Sequence, residues 1–270
     1  MDLNLLINLP LALPSIPKVI ARVISELDRP RVDLKTLTQF ISTDPALTCR
    51  LLQLANSGYF KQSGQIHSVS EALAILGMGH VRSLVSAAAS DSSLKAVPGI
   101  ALQQFWTYSL NVAKVARSLA RVVRQNQQAA FTCGLLHAIG EVTLQVAMPL
   151  DMTALNADAA PLDLRRARVE QRQLGFTYAD VGAGHVRKWL YPQSMIDALE
   201  RQCSPFDNEV YEPMAGVIHL AVWRGRAREA GLSERELAVT FPGAVGEVLA
   251  LDIDVVLQQD PIDWHRVPLR

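Results

Sequence analysis

The stretch Thr132-Cys133-Gly134-Leu135-Leu136-His137-Ala138-Ile139-Gly140-Glu141 decides how this chain is read. Leu135, Leu136 and Ile139 surround His137 and Ala138 with apolar side chains, and no alternation of period two is present. The pattern predicts a buried helix running on toward Met148-Pro149. His137 is an imidazole of the kind that ligates metals. Its neighbour, Ala138, offers only a methyl group, with no ligating atom.

Helical spacing continues on both sides. Upstream, Trp106, Leu110, Ala113, Ala116, Ala120 and Val123 form one stripe, closed by the polar turn Gln125-Asn126-Gln127-Gln128. Downstream, Asp163 caps a basic helix that ends at Leu174-Gly175. Thr177 and Asp180 form a capping pair before Val181, Val186 and Leu190. Tyr191-Pro192 starts a helix with Ile196 and Leu199, and Met214, Val217, Ile218 and Ala221 mark another. Ser233-Glu234-Arg235-Glu236 caps a C-terminal pair interrupted at Phe241-Pro242-Gly243.

The N-terminal part reads the same way. Residues up to about Leu13 look like a lead-in. Ser15-Ile16-Pro17 opens a helix carrying Val19, Ile20, Val23, Ile24 and Leu27. Asp33 caps a second, and Asp44 with Pro45 opens a third that ends at Asn56-Ser57-Gly58, with Gly58 expected at positive φ. Ser68-Val69-Ser70-Glu71 is a capping box, and Gly77 and Gly79 break the helix that follows. Val97-Pro98-Gly99 is too short for a long flexible linker, so the two helical blocks are expected to melt as one unit. With no strand signal, the chain is all-α.

Apolar residues are 49% and charged residues 19%, a globular composition. Lys plus Arg and Asp plus Glu are 26 each, so no overall field draws the chain to nucleic acid or an anionic membrane. The clusters Arg165-Arg166-Ala167-Arg168 and Arg224-Gly225-Arg226-Ala227-Arg228 read as solvated helix faces. Cys49, Cys133 and Cys203 are far apart and odd in number, which suits free thiols in a reducing compartment. The N-terminus lacks the positive region of a signal peptide, and no segment reads as long enough to span a bilayer. A cytoplasmic location is expected.

Several motifs in order resemble the HDOD domain family of bacterial signalling proteins. They are Leu13-Pro14-Ser15-Ile16-Pro17, Asp44-Pro45-Ala46-Leu47-Thr48, Leu54-Ala55-Asn56-Ser57, and Ile66 through Ala72 with Ser68, followed by Leu76-Gly77. Phe105-Trp106-Thr107-Tyr108-Ser109, Gly134-Leu135-Leu136-His137, and Gly175-Phe176 with Ala179-Asp180-Val181-Gly182 extend the match. It covers most of residues 13 to 205. The resemblance implies an N-terminal helical lobe packed on a degenerate lobe like that of the HD metal-dependent phosphohydrolases. The expected division is a lead-in over 1–12, the first lobe over 13–97, the HD-like lobe over 98–228 and a short helical C-terminal extension over 229–270.

HD relatives hold one or two metal ions with His and Asp, and the metal activates a water for hydrolysis. The resemblance puts those ligand positions at Tyr108, His137, Ala138, Tyr178, Arg201-Gln202 and Val222. One plausible ligand is left, and a lone imidazole does not hold a divalent ion against water. The spacing of Cys133, His137 and Glu141 offers a substitute set on one helix face, against which stands the reading of a core cysteine and a hydrogen-bonded core histidine. His185 and His219 read as structural. Asp44 and Asn56 are explained by capping and turn bonding, and Tyr59-Phe60 by closure of a helix C-terminus. No phosphate loop or nucleophile elbow occurs. The expectation is a non-catalytic regulatory protein without cofactor or metal that binds other signalling proteins, its oligomeric state open. The alternatives are a nucleotide or cyclic-dinucleotide held in the former active-site cavity, and a residual phosphohydrolase.

Overall fold

The computed structural model describes residues 2–9, 13–90, 96–207 and 209–258. In chain order the helices are α1 (Leu3–Asn8), α2 (Pro17–Leu27), α3 (Leu34–Ile41), α4 (Pro45–Ala55), α5 (Val69–Ser90), α6 (Leu102–Val122), α7 (Gln127–Leu136) and α8 (Ile139–Ala147). They continue as α9 (Pro149–Asp158), α10 (Arg166–Leu174), α11 (Tyr178–Lys188), α12 (Gln193–Arg201), α13 (Pro213–Glu229), α14 (Glu234–Thr240), α15 (Gly243–Leu249) and α16 (Ile253–Gln258). No strand occurs among the described residues; Val97 and Ile100 form one isolated antiparallel bridge.

Capping chemistry sets the starts. Asp44 Oδ1 accepts from the Leu47 amide at 2.9 Å, while Oδ2 accepts from the Ile16 amide at 2.6 Å and ties α4 to the start of α2. The carboxyl is fully buried, and burial pushes its pKa up to about 6. Thr177 with Asp180, and Ser233 with Glu236, form reciprocal capping boxes at α11 and α14. Gly77 takes φ 70° and ψ 157°, a conformation that costs glycine nothing, and kinks α5 there.

α2 to α5 pack together, and α6, α7, α8, α11, α12 and α13 form the second layer of contacts. One continuous apolar core runs through both groups. Among the hydrogen bonds that cross between them, two come from aromatic side chains: Trp106 Nε1 donates to the Pro14 carbonyl at 3.1 Å, and the Tyr191 hydroxyl donates to the Cys49 carbonyl at 3.1 Å. Each anchors a large buried aromatic by its polar tip.

The structure corrects several expectations. The lead-in is partly helical: α1 lies on α8 and α11, with Leu6 buried and Ile7 packed over Gly184. Gly58 opens a 3-10 turn, and the left-handed residue that ends this turn is Lys61, φ 54°. Gly79 remains helical. Tyr59 does not close a helix end but stands 78% exposed, edge-on to Phe60. The helix through His137 is not continuous, because α7 ends and α8 begins at His137-Ala138. α5 and the run 127–147 are each long and apolar enough to cross a membrane by length and composition; the second is 89% buried inside the protein, as a core helix would be. Finally, Arg166 and Arg226 are not on solvated faces but are buried.

Candidate functional site

The α7–α8 junction is the centre of the second lobe. His137 is buried at the end of α7. Its Nδ1 lies 2.7 Å from the Gly134 carbonyl, which can only accept, so Nδ1 carries the proton. Nε2 is therefore a lone pair, and it accepts from the Tyr108 hydroxyl of α6 at 3.1 Å. Gly134 makes this approach possible: its α-carbon faces the α6 backbone, where an added Cβ would fall 2.7 Å from the Ala113 Cα. The His137 carbonyl, freed from the helix ladder by the break, accepts from Gln202 Nε2 at 3.0 Å.

Arg226 completes the cluster. It stands on α13 one turn beyond Val222, 4% exposed. Nε donates to the Tyr108 oxygen at 3.3 Å, and Nη1 donates to the Asp163 carbonyl at 3.0 Å. Its Cζ sits 5.1 Å from the centre of the Tyr178 ring, within cation–π range. Tyr178 begins α11 and is fully buried. Burial, with Arg226 a smaller cause, pushes the His137 pKa down to about 3, so the ring is neutral. Burial likewise raises both phenols, which stay protonated.

A second buried cluster lies beside it. Arg166 Nε donates to Glu141 Oε2 at 3.1 Å and to Glu170 Oε1 at 2.8 Å; Nη1 donates to Asn156 and to the Ala159 carbonyl. Glu170 Oε2 accepts from the Tyr178 amide at 2.7 Å. Burial, and then the negative charge of Glu141, hold the Glu170 pKa well above the usual carboxylate range.

The sequence-predicted positions therefore fall as follows. Tyr108, His137 and Tyr178 come together around Arg226. Ala138 is 3% exposed and supplies no donor atom; Val222 lines the same helix as Arg226. Gln202 braces His137. The substitute set Cys133, His137 and Glu141 is not assembled: the helix breaks between the second and third, and Glu141 is held by Arg166. His185 bonds the Thr143 hydroxyl at 3.3 Å and stacks on Trp189, and His219 bonds the Gln202 carbonyl. In the first lobe, the Asn56 carboxamide accepts from the Ile66 amide and donates to the Ile66 and Leu52 carbonyls. Ser57 and Ser68 bond neighbouring main chain, and Pro45 is buried in the first turn of α4.

The residues present do not fit a divalent ion. Ala138 and Val222 have no ligating atom, the phenols are protonated, and both nitrogens of His137 are already engaged. A permanent cation, Arg226, lies among them. Among the described residues no group of three or more His, Cys, Asp or Glu could hold a metal. Arg226 is what the sequence reading missed, and the signal was there: Ile218, Val222 and Arg226 recur every four residues on a buried helix face.

Residues 13–205 match the HDOD domain family. A protein of Treponema pallidum (strain Nichols), described as uncharacterized, is 24% identical over 212 residues, 77% of this chain and 41% of that protein. The chain thus spans about two-fifths of that relative's length. Among solved structures, a fragment of the MmoQ response regulator from Methylococcus capsulatus str. Bath is 25% identical, with a TM-score of 0.71, covering 92% of this chain and 95% of that one. A Shewanella amazonensis SB2B protein provisionally assigned as a phosphohydrolase is 26% identical, with a TM-score of 0.53, covering 92% and 90%.

Proposed function

Because the chain belongs to the HDOD domain family, we propose that it is a regulatory protein of bacterial signal transduction that binds other proteins and catalyses no reaction. The observation that carries this reading is the cluster of Tyr108, His137, Tyr178 and Arg226, in which a guanidinium sits among the positions of a phosphohydrolase's ligands. Water activation needs a metal or a base near neutral pKa. His137 is neutral, and its lone pair is taken. Similarity to a response regulator supports the signalling role. Three free cysteines, two of them buried, fit a reducing cytoplasm.

The phosphohydrolase assignment of the Shewanella neighbour favours the opposite reading, residual hydrolysis, and sets the test. The protein is made in medium supplemented with manganese, iron and zinc, then assayed for metal content and for hydrolysis of phosphodiesters and cyclic dinucleotides. The expected result is no stoichiometric metal, no turnover, and a defined complex with a signalling protein on affinity capture. One equivalent of metal, removable by chelator with loss of hydrolysis, refutes the proposal. A cyclic dinucleotide that raises the melting temperature without being cleaved points instead to a ligand-binding regulator.

A further inference from the structure

We infer that Arg226 replaces the metal ion itself: its guanidinium is the resident cation on which the former ligand positions close, and its presence excludes a divalent ion. The inference rests on the non-catalytic reading above and specifies what that reading leaves open, namely what fills the place.

Three features of the geometry support it. First, two of the former ligand positions now serve a guanidinium. Two positions assigned to histidine hold tyrosines. One presents an oxygen to Arg226 Nε at 3.3 Å, and the other a ring face 5.1 Å from Cζ. A phenol oxygen and an aromatic face are what a planar, weakly hydrated cation takes, whereas a hard or borderline divalent ion takes imidazole and carboxylate. Second, the two positions assigned to aspartate hold Ala138 and Val222. A divalent ion needs those negative charges to offset its own, but a monovalent delocalised cation bonded to neutral acceptors does not.

Third, the hydrogen bonds run in one direction. Arg226 donates to Tyr108, Tyr108 donates to His137, and His137 donates to the Gly134 carbonyl. In a metal centre the imidazole lone pair points at the cation; here it points at a phenol whose own lone pairs face the cation. The other titratable groups that feel Arg226 are the Asp163 carboxyl, His219 and the Cys203 thiol. The Asp163 carboxyl itself is engaged by Arg165. Arg226 is always protonated, so a metal entering the cluster would meet a fixed positive charge at contact distance.

The test separates loss of ligands from occupation by charge. One variant restores ligands at four positions: Tyr108→His, Ala138→Asp, Tyr178→His and Val222→Asp. A second adds Arg226→Met, which keeps much of the side-chain bulk and removes the charge. Manganese binding is followed by titration calorimetry and by the electron paramagnetic resonance of bound ion. The variant lacking Arg226 is expected to bind roughly 100-fold more tightly than the one retaining it. Equal affinity in the two overturns the inference while leaving the non-catalytic reading intact. Stoichiometric manganese in the unaltered protein sinks that reading instead. Should the multiple variants fail to fold, single changes decide: Arg226→Lys should melt above Arg226→Met, because only lysine keeps a cation in place. Arg226→Met melting at or above Arg226→Lys would mean that the residue merely fills space.

Discussion

The Tyr108 hydroxyl lies 3.1 Å from Nε2 of His137, and the direction of that bond is fixed from the far side of the imidazole. Because Nδ1 must donate to the Gly134 carbonyl, the phenol must donate to Nε2. Its oxygen is then left with lone pairs only, which is what Arg226 requires. Three helices, α6, α7 and α13, are joined by side chains that agree on polarity.

Tyr108→Phe removes the middle of this chain and leaves a buried guanidinium N–H and a buried imidazole nitrogen without their partner. Each unpaired group carries its desolvation cost, so a loss of about 1–3 kcal/mol is expected. Urea unfolding should show a lower midpoint at an unchanged slope. An unchanged midpoint would mean that water replaces the hydroxyl.

Acid should weaken the fold through His137. The unfolded imidazole titrates near 6.5, the folded one at about 3. Between these values the unfolded chain holds more protons, so stability present above about pH 6.5 is lost as pH falls toward 3. His185, pushed down to about 4 by burial and then by Lys188, adds the same sign. Asp44 opposes both: its folded pKa of about 6 lies above the unfolded 3.8, so its contribution grows as pH falls across that interval. His137→Gln should flatten the loss between pH 6.5 and 3 in a series of urea titrations. The same acid slope in variant and parent would exclude His137 as its source.

Arg166 is fully buried between two buried carboxylates, so its removal should be severe. Arg166→Met strands Glu141 and Glu170 together without a cation, at a cost of about 3–5 kcal/mol near neutral pH. The deficit should shrink in acid, because protonation removes the uncompensated charge. Thermal melts at neutral and mildly acidic pH check both parts. A deficit that grows in acid would contradict the charge argument.

Two glycines in one helix crossing should behave differently. A Cβ on Gly140 would lie 2.0 Å from the Tyr178 carbonyl oxygen and 2.7 Å from the Gly182 nitrogen, backbone atoms that cannot swing aside. On Gly182 the closest atom would be 3.5 Å away, ordinary contact. Gly140→Ala should therefore cost about 3 kcal/mol or more and lower soluble yield, whereas Gly182→Ala should stay within about 1 kcal/mol. Comparable melting temperatures for the two would show that α8 and α11 can separate freely.

Much of the fold was legible because its signals are local. Asp33, Asp44, Thr177 and Ser233 each cap the helix their position predicts, since a cap needs one polar side chain at one place. The α7–α8 break was not legible. No proline marks it, and its glycines fall at 134 and 140 rather than at the junction. The His137 carbonyl is satisfied there by Gln202, 65 residues away in sequence. The buried arginines were hidden for a related reason. A charge is costly to bury, so a basic run reads as solvated until its partners are known. Those of Arg166 include Glu141 on α8, and those of Arg226 include Tyr108 on α6, neither of which the runs reveal.

The two bonds from Trp106 and Tyr191 end on main-chain oxygens, at Pro14 and Cys49. Every amino acid carries that oxygen, so exchanging residue 14 or 49 leaves the acceptor in place. Only the indole and the phenol can be lost. A genetic screen for suppressors of Trp106→Phe should accordingly recover none at residue 14, because no side chain there can return a missing N–H. As a heritable matter these two bonds are one-sided: the acceptors survive any exchange of side chain at 14 or 49, and the aromatic donors do not survive theirs.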